Sequence, residues 1–114
     1  MFKPFTISLN RVHDRVRISE GGEHIDLLVD DDPMRLVAGL SQAQKGLQAI
    51  NSESTDEDQV NAAQYFAQVI FGKTQAEQLL AFYHNDAGCV INVCGRYFTD
   101  RLSKLITAAQ KRMK

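Results

Sequence analysis

"VIFGKTQAEQLLAFYHND", residues 69–86, decides how the second half of this chain is read. An apolar run ends at Gly72, restarts at Thr74, and closes on two aromatics beside His84. Glycine at a helix end supplies the positive φ that other residues resist. Thr74-Gln75-Ala76-Glu77 has the spacing of a capping box, which predicts a new helix over 75–84. The stretch is therefore a joint between two helices with little chain between them. Such a joint suits a helix-turn-helix that reads DNA, a small catalytic pocket, or a helical protein that holds another protein.

Before the joint, Val60, Ala63, Phe66, Ala67 and Ile70 share one helical face, flanked by Phe71, which predicts a helix over 56–71. Ser54 or Thr55 caps it after a polar, acidic loop. After the joint, Asn85 or Asp86 caps a long helix over 87–112. This last helix carries two neighbouring apolar stripes, Val90, Cys94, Tyr97 and Ile91, Phe98, Leu102, Leu105, Ile106. One stripe serves the protein's own core. The surplus marks Leu102, Leu105 and Ile106 as a candidate protein-binding surface, for a second copy or a helical client. The competing reading is that the other helices cover it.

Toward the N-terminus the period changes from helical to two. Phe5, Ile7 and Leu9 alternate with polar residues, as do Val16 and Ile18, and then Ile25, Leu27 and Val29. Gly21-Gly22 fits a tight turn between the last two runs, so residues 1–30 read as an antiparallel hairpin or meander, firmest over 15–19 and 24–29. Leu28 breaks the polar face, which predicts a partly covered second side. Asp30-Asp31-Asp32-Pro33 then opens a helix over 33–50, with Asp32 as cap and Pro33 at its first position. Leu36, Leu40, Ala43, Leu47 and Ile50 form its stripe, thinned by Gly39 and Gly46 where another backbone can approach. The fold class is α+β, mainly helical: a hairpin or meander followed by about four helices in one domain.

The 114 residues are 44% hydrophobic and 24% charged, which suits a globular domain. Thirteen Lys and Arg against 14 Asp and Glu give a net charge of -1, with no global attraction to phosphate or anionic lipid. No apolar run approaches the roughly 18 residues of a membrane span, and the N-terminus lacks a signal-peptide core. Cys89 and Cys94, about 140° apart on a helix, would not pair and read as buried reduced thiols of a cytoplasmic protein.

Little points to chemistry. His13, His24 and His84 are scattered, and the three adjacent aspartates do not converge on a metal without further ligands. Gly21-Gly22 belongs to a hairpin, not to a phosphate loop. Cys94 lies in an apolar stripe, away from any activating base. The expectation is a non-enzyme with no cofactor, metal or catalytic residue. As a DNA reader, helix 75–84 offers Gln75 and Gln78 but only Lys73 nearby, with Glu77 in its first turn. The basic tail, Arg101, Lys104, Lys111, Arg112 and Lys114, reads as a solvated helix end, so nucleic acid is not the expected partner.

The run FAQVIFG, then KTQAEQLL, then a longer terminal helix resembles the tail assembly chaperones, small proteins encoded among the tail genes of phages and prophages of Gram-positive bacteria. The likeness covers most of the chain in layout, including the hairpin and the DDDP helix start. It is motif-like over residues 66–83, on Phe66, Ile70, Phe71, Gly72, Ala76, Glu77 and Leu80. It implies a cytoplasmic, non-catalytic morphogenesis protein. Its partners would be the helical, aggregation-prone tape-measure protein and the tail-tube subunits. The competing classes are a small prophage helix-turn-helix regulator and a host interaction module.

Overall fold

A computed structural model describes residues 11–112. The third alternating run, at Phe5, Ile7 and Leu9, lies outside the described residues. Strand β1 (Val12–Glu20) pairs antiparallel with β2 (Glu23–Asp31), both longer than the alternation alone predicts. Gly21 and Gly22 form the turn with φ of 58° and 85°, values glycine adopts without a Cβ penalty. The register Val12↔Asp31 through Glu20↔Glu23 puts Val12, Val16 and Ile18 on one face with Ile25, Leu27 and Val29. That face packs on the helices. The other face carries the ion pairs Arg11–Asp30 and Arg17–Asp26, each 2.8 Å.

Helix α1 (Pro33–Gln48) starts as its sequence predicts, with the Asp32 carboxylate accepting from the Met34 amide at 2.8 Å and Pro33 in the first turn. It ends before Ile50. At Gly39 a Cβ would lie 2.7 Å from a Val69 methyl carbon, so the missing side chain sets how closely α1 approaches α2 (Asp56–Phe71). Gly46 faces open space and has no such role. Thr55, not Ser54, caps α2, in a reciprocal box with Asp58. Phe66, Ala67, Ile70 and Phe71 place α2 at the centre of the core.

The joint at Gly72 is sharper than its sequence suggests. Gly72 has φ 85° and ψ 164°, a region almost confined to glycine and not the left-handed helical one. That turn lets α3 (Lys73–Phe82) begin at once, with Gly72 itself as the N-cap and no side-chain cap. The expected Thr74 capping box is therefore not formed, because the helix starts two residues too early for Thr74 to cap it. His84 and Asn85, at φ 54° and 61°, turn the chain again, and Asp86 caps α4 (Ala87–Tyr97).

The expected continuous helix 87–112 is interrupted in register though not in direction. A π-helical turn, Phe98–Leu102, joins α4 to α5 (Ser103–Arg112). The apolar positions Val90, Cys94, Tyr97, Leu102, Ile106 and Ala109 step by four, three, five, four and three residues. An α-helix cannot keep a five-residue step on one face, whereas a π turn closes on the fifth residue. The core face thus passes from the first stripe to Leu102 and Ile106 of the second, while Ile91, Phe98 and Leu105 stay half-buried beside it. No helix among the described residues is long and apolar enough to cross a membrane.

Candidate functional site

Of the residues singled out as a binding surface, Leu102 is fully buried, Ile106 is 5% exposed, and Leu105 is half-buried against the core. The π turn is the reason: it rotates Leu102 and Ile106 inward. The same rotation leaves the other flank of α5 facing α1, and a groove of about 590 Å³ opens between these helices. Its apolar lining is Val37, Leu40, Leu47, Phe66, Phe98 and Ile106, so only Ile106 of the three reaches it. Val37, 41% exposed, is its most open apolar wall residue. The polar lining, Ser41, Gln44, Ser103, Thr107 and Gln110, is uncharged. Met34, also exposed, stands beside the groove with its sulfur 3.6 Å from the Gln110 amide nitrogen.

What fixes the α5 wall is a buried carboxylate. Asp14 points inward from β1 and is the one buried charged residue among those described. The Arg101 guanidinium donates to both its oxygens, at 2.6 and 2.8 Å, and the Tyr97 hydroxyl donates at 2.8 Å. In an α-helix residues four apart point about 40° from each other. The wider π turn brings Tyr97 and Arg101 closer to one side, where both meet Asp14. Tyr97 also stacks on Phe71, with ring centroids 5.8 Å apart. The Arg101 hydrogen bonds hold the Asp14 carboxyl below its usual pKa, while burial and Asp14 raise the Tyr97 hydroxyl's. Both groups are locked in their ordinary charge states at neutral pH, an anchor rather than an acid–base pair. Arg101 is thus not part of a solvated basic tail, and the five-residue apolar step is the signal in the sequence that it turns back on the fold.

Gln75 is the second residue whose role differs from expectation. Glu20 and Glu23 flank the two-residue turn as a hydrogen-bonded pair, and such pairs recur at every second position. Leu28 therefore turns its backbone groups away from β1. Gln75 closes that edge: its carbonyl accepts from the Leu28 amide at 2.8 Å, and its NH2 donates to the Leu28 carbonyl at 2.6 Å. The same NH2 donates to the Phe71 carbonyl at 2.7 Å. The amide offered to a DNA base is already hydrogen-bonded to the protein's own backbone through both its oxygen and its nitrogen.

Cys94 is buried, which pushes its thiol up to about 12. Cys89 is exposed, contrary to expectation, because the α4 face it occupies turns outward. Lost hydration and the Asp86 carboxylate raise its pKa as well, so neither cysteine is an activated nucleophile. Among the described residues, no three His, Cys, Asp or Glu side chains are grouped to hold a metal ion. Compared with protein-family models, curated proteins and solved structures, the chain matches none.

Proposed function

We propose that the protein is a non-catalytic binding protein that receives an apolar helical segment in the α1/α5 groove. The observation that carries this reading is the groove itself: an open apolar floor with uncharged polar sides, between two helices that run alongside it. Amphipathic helices dock in such grooves through apolar residues at helical spacing. The resemblance to tail assembly chaperones supplies the biological setting, a cytoplasmic protein of phage or prophage tail morphogenesis whose client is a tape-measure-like helical chain. The DNA-regulator reading loses support from Gln75, whose amide is already committed.

The test is co-expression with a tape-measure protein and tail-tube subunit from a phage of a Gram-positive host, followed by co-purification. Capture by the intact protein, and loss of capture in Val37→Gln, is the expected result. Val37 is exposed, so its replacement by a good helix former leaves the fold in place. Equal capture by both proteins would reject the groove as the docking site. Sequence-selective DNA binding at physiological salt would favour the regulator.

A further inference from the structure

The charge of this chain is nearly balanced, but it is not mixed. Helices α1 and α5 contain Arg35, Lys45, Lys104, Lys111 and Arg112, five of the 13 cationic residues, and none of the 14 acidic ones. Helical spacing puts three of these on the groove's outer rims. Lys104 and Lys111 lie three before and four after Thr107, and Lys45 lies four after Ser41. All three are exposed, and none has a carboxylate partner within salt-bridge distance among the described residues. An apolar floor is thus bordered on both sides by unpaired ammonium groups.

We propose that the groove selects an amphipathic helix with an apolar ridge and acidic residues flanking that ridge. The inference rests on the docking reading above and specifies its ligand. A helix lying in the groove turns its ridge to Leu40, Phe66 and Ile106, and its flanking positions then face the lysine rims. Glutamates there gain attraction at both walls, while lysines there meet like charge. Nucleic acid offers the anionic charge but no apolar ridge, and the uncharged groove sides carry no guanidinium fork for phosphate.

The experiment uses three synthetic helices of about 16 residues, the length of a helix spanning some 24 Å. They share one leucine ridge and differ only in having glutamate, glutamine or lysine beside it. Binding to the intact protein is followed by fluorescence anisotropy. The glutamate peptide is expected to bind about tenfold tighter than the lysine peptide at low ionic strength, the sum of a few exposed pairs. The preference should collapse in about 1 M salt, where charges are screened within about 3 Å. Lys104→Glu/Lys111→Glu should reverse it, and Val37→Gln should weaken all three peptides alike. Equal affinities, with the charge reversal silent and Val37→Gln still effective, would overturn this proposal and leave groove docking intact. No binding at all, or binding untouched by Val37→Gln, would remove both. Displacement of the glutamate peptide by duplex DNA, or a second copy of the chain filling the groove in sedimentation, would also overturn it.

Discussion

Asp14 and Arg101, 87 positions apart, are joined by two hydrogen bonds of 2.6 and 2.8 Å that tie the hairpin to the π turn. Arg101 is largely exposed and is rehydrated when the pair is broken, whereas Asp14 is buried. The two substitutions therefore differ. Asp14→Ala leaves the half-buried Tyr97 hydroxyl without its acceptor and should cost about 2 kcal/mol. Arg101→Gln should cost more, about 3 kcal/mol, because it leaves the Asp14 carboxylate buried without its counter-ion. Chemical denaturation of both variants measures the difference, and equal midpoints with wild type would show that the contact contributes nothing.

The same contact gives a pH dependence of defined sign. The folded-state pKa of Asp14 is lowered, first by its Arg101 hydrogen bonds and against the effect of burial. Its contribution is fully present above the ordinary carboxylate pKa of about 3.9 and is lost as the pH falls through the lower folded value. The stability gap between wild type and Asp14→Asn should be widest near neutrality and should narrow below about pH 4. A gap that stayed constant down to pH 2 would exclude Asp14 as its source.

The five-residue step from Tyr97 to Leu102 predicts opposite outcomes for two deletions. Removing the exposed Thr99 shortens the step to four, which an ordinary α-helix carries while keeping Leu102, Ile106 and Ala109 on the core face. Removing Asn92 within α4 leaves the five-residue step and rotates the residues beyond it by about 100°. The first variant should unfold cooperatively, with a loss no larger than that of the Asp14 contact. The second should lose cooperativity. Circular dichroism during thermal unfolding separates them.

At the joint, Gly72→Ala should be costly and Thr74→Ala nearly silent. Nothing lies within 4 Å of a Cβ built at Gly72, so the cost is that of its backbone angles alone, about 1–3 kcal/mol. Thr74 makes no cap bond to α3, so its replacement should stay within about 0.5 kcal/mol. A large loss at Thr74 would restore the capping box and remove Gly72 as the helix start.

Gly39→Ala should destabilise by about 1–3 kcal/mol, because the stiff β-branched Val69 cannot rotate both methyl groups away from the new Cβ. Val69→Ala makes the room, so the double variant should recover part of the loss. Additive losses in that double-mutant cycle would place the strain elsewhere.

The parts legible in the sequence were those written as local pattern. Alternation with Gly21-Gly22 specifies the hairpin, Asp32-Pro33 a helix start, and Gly72 a break. What was not legible depends on residues that meet only in three dimensions. Gln75 fits a helix surface equally well whether or not Leu28 lies beside it, and Asp14 in an alternating strand carries no mark of its distant partners. The π turn lies between these cases. Its five-residue step was written in the sequence, but two parallel apolar stripes on a regular helix account for the same letters. Read as parallel, the stripes offer Leu102, Leu105 and Ile106 as a surface, whereas the fold buries the first and last and half-buries Leu105, and their burial helps to shape the groove.

The distance along the chain between Asp14 and Arg101 also sets an order of events during synthesis. The hairpin leaves the ribosome before Arg101 and can close locally, but its inward carboxylate then sits on an apolar face with no counter-ion. Until Arg101 emerges, burying that face means burying an unpaired charge, so the hairpin must stay loosely docked and its carboxylate wet. Formation of the π turn brings Arg101 to the face, neutralises it and permits final docking. A nascent chain halted before residue 101 is expected to stay open at this face, and the step that consolidates the hairpin is the arrival of Arg101.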